Sequence, residues 1–309
     1  MARVIRIGTR GSRLALAQAD ELKRRLMAAN PGADLAPEVV VISTRGDRVT
    51  DRPLAEIGGK GLFTQEIEAQ LADGRIDMAV HSSKDMPTVL PGGLELACFL
   101  PRENPADAFI SQRAAGLAEL PAGAVVGTAS LRRQALVRRL RPDLTVIALR
   151  GNVETRLAKL ARGEVDATLL AQAGLIRLGL DGRATAILPI DDFPPAPGQG
   201  AICVETRIGD AATAALLAQV NHAPTASALA AERAFLAGLD GSCRTPIAGH
   251  ARIASEGRLD FHGMVLKPDG SEAHEVHRAG PVGDAARIGA EAAAALRVQA
   301  GPGFLAGWE

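Results

Sequence analysis

Tyrosine is absent from this 309-residue chain, tryptophan occurs once, and aromatic residues amount to only 3%. A base-stacking platform for single-stranded nucleic acid therefore has little to be built from. Cysteine is nearly as scarce. Its three copies are odd in number and widely spaced, so they supply neither a disulfide framework nor a paired metal-ligand motif. No apolar run reaches the length of a membrane span. Excess charge is missing too: 35 basic and 35 acidic residues cancel, and bulk electrostatics favour neither nucleic acid nor a membrane surface. The opening residues, Met1-Ala2-Arg3-Val4-Ile5-Arg6-Ile7, move straight into a strand pattern without a signal peptide's apolar core or cleavage site. These absences predict a soluble protein of a reducing compartment, the cytoplasm.

Lysine is rare as well, at five residues (23, 60, 84, 159 and 267), so thirty of the 35 basic residues are arginine. Codon bias in a high-GC genome accounts for that total, and the Ala-rich background agrees. Function has to be sought in particular arginines at particular turns.

Hydrophobic residues make up 47% of the chain, ample for more than one core, and the length calls for two or three domains. Apolar runs alternate with amphipathic stretches, the pattern of α/β domains with mainly parallel sheets. Val4–Ile7 reads as a strand. Ser12 can cap a helix over Arg13–Ala29 that Asn30-Pro31-Gly32 ends. Glu38–Ile42 is the next strand, followed by a polar Gly-rich stretch, a helix around Phe63–Ala72 and a strand at Asp77–Val80.

The pattern restarts near Phe99-Leu100-Pro101. Strands are expected at Ala108–Ile110, Ala124–Gly127, Leu144–Leu149 and Ala167–Leu170, and helices from Ser130, over Val153–Ala161 and over Ala171–Leu178. A Pro-rich segment, Phe193–Gly198, closes this part, and strand Ala201–Glu205 is placed to cross back to the first domain. Helix Ala223–Leu239, three strands and a last helix over Asp284–Val298 read as a small α+β tail. The expected division is residues 1–99 with 200–218, then 100–199, then 219–309.

Three strand-to-helix turns share one design: Gly8-Thr9-Arg10-Gly11-Ser12, Gly127-Thr128-Ala129-Ser130-Leu131-Arg132-Arg133, and Leu149-Arg150-Gly151-Asn152-Val153-Glu154-Thr155-Arg156. Each offers free N–H groups at a helix start, together with guanidinium forks suited to carboxylate or phosphate. One such turn would be an ordinary Gly/Ser turn with solvated arginines; three in adjacent units point to a polyanion site. Gly58-Gly59-Lys60-Gly61-Leu62-Phe63 is not a phosphate loop, because Lys60 is followed by Gly and Leu54 stands where the first Gly is needed. It reads as a glycine loop carrying one cation, of the composition of a lid.

Val80-His81-Ser82-Ser83-Lys84-Asp85-Met86-Pro87 sets four polar groups after a strand. Asp85 has the chemistry of an acid, a base or a stabiliser of positive charge at a strand end. His81 and Lys84 are ambiguous alone, His81 being more readily a structural hydrogen-bonding residue. Cys98 and Cys203 lie in apolar strand patterns and read as inert core. Cys243 differs, sitting in the turn Leu239-Asp240-Gly241-Ser242-Cys243-Arg244-Thr245-Pro246 beside Arg244. A neighbouring cation and loop exposure favour the thiolate and hence nucleophilicity.

Taken in order, these segments closely resemble the porphobilinogen deaminase family. The likeness includes Thr44-Arg45-Gly46-Asp47, Ala173–Gly179, Pro197-Gly198-Gln199-Gly200 and Ala231–Leu236, and it runs from about residue 4 to about residue 300. The His-Ser-Ser-Lys-Asp-Met-Pro and Gly-Ser-Cys-Arg-Thr-Pro-Ile stretches together are its most specific part. The resemblance implies an α/β fold of two domains like type-II periplasmic binding proteins with a central cleft, plus a small α+β C-terminal domain. It implies a dipyrromethane primer, made from the enzyme's own substrate and held by Cys243 through a thioether. Four porphobilinogen units are then joined head to tail with loss of ammonia, and hydrolysis releases hydroxymethylbilane. A monomer is implied, with neither nucleic acid nor membrane as partner.

Each porphobilinogen carries an acetate and a propionate, so a six-unit chain accumulates twelve carboxylates that need fixed cations and N–H donors. By resemblance Lys84, Ser130, Arg132 and Arg133 hold the cofactor. Arg10, Ser12, Arg150, Arg156, Arg177, Lys60 and Phe63 meet the substrate. Asp85 is catalytic, facing the pyrrole N–H groups where positive charge develops. No metal or nucleotide is called for. Ala129 departs from the family, standing where many members have Ser, and Gly11 and Arg13 occupy variable positions. Two rival functions use the same arginines: a non-enzymatic anion-binding protein on the two-domain cleft, which needs neither Cys243 nor Asp85, and a nucleic-acid binder, which neutral charge and scarce aromatics disfavour.

Overall fold

The structure is a computed structural model that describes residues 3–48, 63–241, 245–254 and 257–305. The chain forms two compact units, Met1–Glu103 with Ala201–Ala226, and Asn104–Gly200 with Ser227–Glu309.

In the first unit, β1 (Arg3–Thr9), β2 (Leu35–Val41), β3 (Met78–Ser82), β4 (Leu94–Phe99) and the late strand β10 (Ile202–Arg207) form one sheet in the order β2-β1-β3-β10-β4. β1 pairs in parallel with β2 and β3, whereas β10 runs antiparallel to β3 and β4. Helix α1 (Arg13–Ala29) starts where Ser12 caps it, the hydroxyl accepting from the Ala15 N–H at 3.2 Å. Its buried residues, Ala15, Gln18, Ala19, Leu22 and Leu26, recur at helical spacing and make one stripe. That stripe meets Ile5, Ile7, Met78, Val80 and Val204. Helix α2 (Gln65–Ala72) covers the other face through Ile67 and Leu71, against Ile42, Ile76, Ala79 and Leu94. Because successive strand residues face opposite ways, Val80 and Ala79 serve separate cores.

The second unit repeats this plan. β5 (Asp107–Ser111), β6 (Val125–Gly127), β7 (Thr145–Ile147), β8 (Ala167–Ala171) and β9 (Ala186–Ile187) assemble in the order β7-β6-β8-β5-β9. The β6 pairs are parallel and the β5 pairs antiparallel. Helices α3 (Leu131–Leu140), α4 (Val153–Ala161) and α5 (Gln172–Arg177) follow β6, β7 and β8. In both sheets the strand that enters just after the chain changes unit inserts antiparallel beside the third strand. The composition is the α/β one expected, but the sheets are evenly mixed rather than mainly parallel. The sequence pattern shows that a strand is apolar, not which way it runs.

The rest of the second unit is a three-stranded antiparallel sheet of β11 (Ile247–Ile253), β12 (Arg258–Leu266) and β13 (Ala273–Pro281). It packs with α7 (Ala223–Gly238) and α8 (Ala285–Ala300) around Phe235, Phe261, Val265, Ile288 and Leu296. A Cβ added at Gly289 would lie 2.0 Å from the Ala231 carbonyl oxygen, so only glycine lets α8 come this close to α7. Ala248, Met264 and Leu266 join Phe109, Leu136 and Phe193 in one core, tying the tail sheet to β5 and α3. Buried Glu232 on α7 completes the tie, its carboxylate accepting from the Gly198 N–H at 2.6 Å and the Ala251 N–H at 2.8 Å.

Helices α1 and α4 have the bounds the sequence predicts, and β10 crosses back to the first sheet as expected. β4 is the apolar strand in which Cys98 was read, while elements that were not foreseen include the two-residue β9 and α6 (Ala211–Ala218). The last is so uniformly apolar (Ala-Ala-Thr-Ala-Ala-Leu-Leu-Ala) that it shows no period. Among the described residues no helix is long and apolar enough to cross a membrane.

Candidate active site

In the first unit, β1 and β3 are neighbours in register, Gly8 opposite Ala79, and run the same way. The turns that follow them, around Arg10 and around Asp85, therefore leave the same carboxyl edge of the sheet, where ligands of open α/β sheets bind. A side-chain bond links the two: Gln18 Nε2 donates to Ser82 Oγ at 2.9 Å. The Arg10 guanidinium lies over the Phe63 ring, 4.1 Å from its centroid. Ser12 is engaged as the α1 cap. After β3 a single 3-10 turn, Ser83–Asp85, carries the chain round, with the Ser83 N–H on the Ala201 carbonyl at 3.0 Å. Asp85 is exposed, Lys84 half-buried, and Ser83 buried with its hydroxyl unpartnered.

Beneath this edge His81 is buried, its Nε2 3.2 Å from the carboxylate of fully buried Glu205. It is a structural histidine, as read from sequence, and Glu205 is the partner the sequence did not reveal. Burial pushes the nearby Glu68 carboxyl up, and the Glu205 charge adds to it. Cys98 and Cys203 are buried core residues, and burial pushes the Cys98 thiol up to about 12 against the pull of Arg25.

In the second unit Ser130 caps α3, accepting from the Arg133 N–H at 3.4 Å, so both arginines sit in the helix's first turn. They point inward and are buried around fully buried Asp107, at the start of β5. Arg132 Nη2 donates to Asp107 Oδ2 at 2.7 Å and its Nη1 to the Pro194 carbonyl at 2.7 Å. Arg133 donates through Nε at 3.1 Å and Nη2 at 2.7 Å to Asp107 Oδ1, and through Nη1 to the Leu169 carbonyl at 2.9 Å. Gln199 Nε2 adds a bond of 2.8 Å to the same carboxylate oxygen. Burial alone would raise the Asp107 carboxyl, but the two guanidiniums overcome it and hold it well below the usual carboxylate range. One carboxylate between two cations leaves an uncompensated positive charge. Burial, with the charge of Arg133, lowers the Arg132 value despite Asp107.

The third turn brings two more cations. Gly151 takes φ of +124°, a conformation closed to other residues, and Asn152 then caps α4 by accepting from the Thr155 N–H at 2.8 Å. Arg156 Nε reaches back to the Gly151 carbonyl at 2.8 Å. Its guanidinium is pushed down to about 10, by burial first and then by the charges of Arg133 and Arg150. Arg132 Nε and Arg150 Nη1 are both buried without a hydrogen-bond partner. Arg177, at the end of α5, donates to the Gly200 carbonyl at 3.0 Å.

Arg133, Arg150 and Arg156 are thus brought together in the second unit, and Arg10, Ser12, Phe63, Lys84 and Asp85 are set along one edge of the first. Lys60, and with it the lid reading, and Cys243 lie outside the described residues. Asp107 and Gln199 are the site residues the sequence did not single out. An acid opening the apolar run Ala108-Phe109-Ile110 was the available signal, since a buried carboxylate demands a cation.

Replacing Asp107 with Asn should therefore cost about 3–5 kcal/mol of stability in urea unfolding at neutral pH, since two buried guanidiniums lose their counter-charge. The folded carboxyl lies below its unfolded value of about 4, so the pair's contribution is complete above that pH. The gap between the two proteins should shrink only in more acidic solution, as the pH falls towards the folded value.

Comparison with known proteins identifies the family. A family model described as porphobilinogen deaminase, dipyromethane cofactor binding domain, matches residues 5–215, and one described as porphobilinogen deaminase, C-terminal domain, matches residues 226–297. A porphobilinogen deaminase of Nitrobacter hamburgensis is 58% identical over 301 residues, which span 96% of this chain and 94% of that one. Among solved structures, the VFT2 domain of Bordetella pertussis BvgS aligns with a TM-score of 0.41 at 16% identity, over 70% of this chain and 86% of that one. A periplasmic substrate-binding protein of an ABC transporter from Coxiella burnetii aligns with a TM-score of 0.42 at 15% identity, over 70% and 91% of the two chains. Nothing further follows from likenesses that distant. The sequence matches cover the chain almost from end to end, and the chain belongs to the porphobilinogen deaminase family.

Proposed function

We propose that this protein condenses four porphobilinogen molecules head to tail, with loss of ammonia, on a dipyrromethane cofactor carried by Cys243, and releases hydroxymethylbilane by hydrolysis. This is a transferase reaction of tetrapyrrole biosynthesis, and the family membership supports it. The non-enzymatic anion-binding alternative has no support from the family models or the curated relative. The observation that carries the reading is the gathering of Arg133 and Arg150 about Arg156, whose guanidinium is pushed down by burial and by their charges, with Arg150 Nη1 and Arg132 Nε buried and lacking an acceptor. A protein holds such a cluster together for an anionic ligand.

The residues present fit the cofactor. Two buried donors, Arg132 Nε and Arg150 Nη1, lack an acceptor, and carboxylate side chains supply acceptors. When bound, the dipyrromethane supplies the pyrrole carbon to which the first substrate is joined. Lys84, Ser130, Arg132 and Arg133 hold its carboxylates in this reading. Asp107 and Gln199 fix the two guanidiniums so that little reorganisation accompanies binding. Arg10, Ser12, Arg150, Arg156 and Arg177 receive the acetate and propionate groups of the incoming units, and Lys60 and Phe63 are assigned to the same substrate.

Asp85, exposed at the end of β3, accepts from pyrrole N–H groups and stabilises the positive charge that develops as ammonia leaves. A fixed carboxylate does this without waiting for solvent to reorient. We assign the tail, residues 219–309, as the domain that carries the cofactor cysteine. The neutral net charge favours neither nucleic-acid nor membrane partners, the three widely spaced cysteines suit the cytoplasm, and the family likeness suggests a monomer.

Intact-mass measurement of protein from cells well supplied with porphobilinogen should show the polypeptide plus one dipyrromethane, and the Cys243→Ser variant should show bare polypeptide. A bare mass for the unaltered protein would refute the covalent assignment. Asp85→Asn should retain fold and cofactor mass while turnover falls by about two orders of magnitude or more; near-normal product formation would remove Asp85 from the chemistry. Arg156→Leu should melt no lower than the parent, because it relieves repulsion, yet covalent intermediates should accumulate at one chain length. A lowered melting temperature with uniform loss at every step would make Arg156 a structural residue instead.

A further inference from the structure

The tail sheet carries a second group of chemically capable side chains that the condensation does not use. Strand register sets His250 of β11 directly opposite His262 of β12, and His262 directly opposite His277 of β13, so three imidazoles form a row across the sheet. Phe261 and Val265, of opposite parity on β12, point into the tail core. Glu275, two residues before His277, projects from the same side of β13 and places Oε2 3.1 Å from His262 Nε2. One ligand atom each from His262, Glu275 and His277 lies within 4.8 Å of the others.

We propose that His262, Glu275 and His277 form a binding site for a divalent metal ion of the zinc class on this face of the tail sheet. Two imidazoles and one carboxylate are the donor set such borderline ions prefer, whereas calcium and magnesium seek oxygen alone. Zinc–nitrogen bonds of about 2.0–2.1 Å need donor atoms roughly 3–3.5 Å apart, so the group has little more than an ångström to close. The rings of His262 and His277 are stacked, 4.3 Å between centroids and 11° from parallel. Imidazole lone pairs lie in the ring plane, so one ring must turn about its Cβ–Cγ bond to share a metal with the other. His277 is exposed and free of core packing, so that turn is open to it.

The three donors leave a fourth position to water or to a further ligand. Of the three donors His262 and His277 border a pocket of about 390 Å³, which Asp191 and His250 also line. Arg252, Arg258 and Arg278 line it too; Asp260 stands 3.1 Å from Arg258 and 3.9 Å from Arg252 and answers part of their charge, and Arg278 is turned to the His277 carbonyl at 2.9 Å. The site owes nothing to the catalytic reading and stands or falls without it.

Isothermal titration of the chelator-treated full-length protein with zinc chloride tests the site. One equivalent should bind, and Glu275→Gln and His277→Ala should each weaken that binding at least about tenfold. Zinc should raise the melting temperature of the parent but not of the variants. Glu275 is exposed and the Gln replacement isosteric, so that variant keeps the fold intact. Failure of the parent to take up zinc would overturn the proposal. So would binding that survives in both variants, which would place the metal on Cys243 or on other histidines.

Discussion

One carboxylate shared by two arginines organises the candidate site residues of the second unit. Asp107 is fully buried, and burying a charge is tolerable only when it is paired. Its two charged partners come from the first turn of α3, its fourth hydrogen bond from Gln199, and its backbone from the strand that enters the sheet after the chain changes unit. A fold-level feature, the insertion of β5 beside β8, is thereby joined to the electrostatics of the site. The stoichiometry matters most. Two cations against one anion leave the region positive, and Arg150 and Arg156 increase the imbalance. An arrangement so costly by itself is the electrostatic basis of the many-carboxylate ligand proposed for it.

The first unit is built on different terms. Its contribution is a row of turns at one sheet edge, held by a serine cap, a Gln18–Ser82 bond and a backbone bond from Ser83. Buried His81 and Glu205 secure β3 to β10 just before the chain reaches Asp85. The carboxylate assigned to the chemistry thus stands exposed on a rigid base.

Much of this was legible in the sequence where the local signal and the tertiary outcome coincide. Ser12 was readable as a cap and Ser130 as a helix start because both are local signals, and α1 and α4 have the expected bounds because their apolar stripes repeat at 3.6 residues. The arginine turns were visible as a set. What they do at rest was not: Arg132 and Arg133 look solvated in sequence, yet lie buried on an acid 25 and 26 residues earlier. Strand direction was also hidden, because an apolar run reads alike in either sense, and so β10 and β5 make mixed sheets out of an expected parallel pattern. α6 escaped because eight small or apolar residues in a row carry no phase.

The inserted strand β10 also has a bearing on synthesis. All five strands of the second sheet lie between residues 107 and 187, so that sheet can close as soon as they have left the ribosome. The first sheet begins at residue 3 but has to wait for residues 202–207, because β4 has no neighbour in it except β10. The segment translated first is therefore the later of the two sheets to finish, and until then β3 and β4 present unpaired edges to whatever else is nascent in the cell.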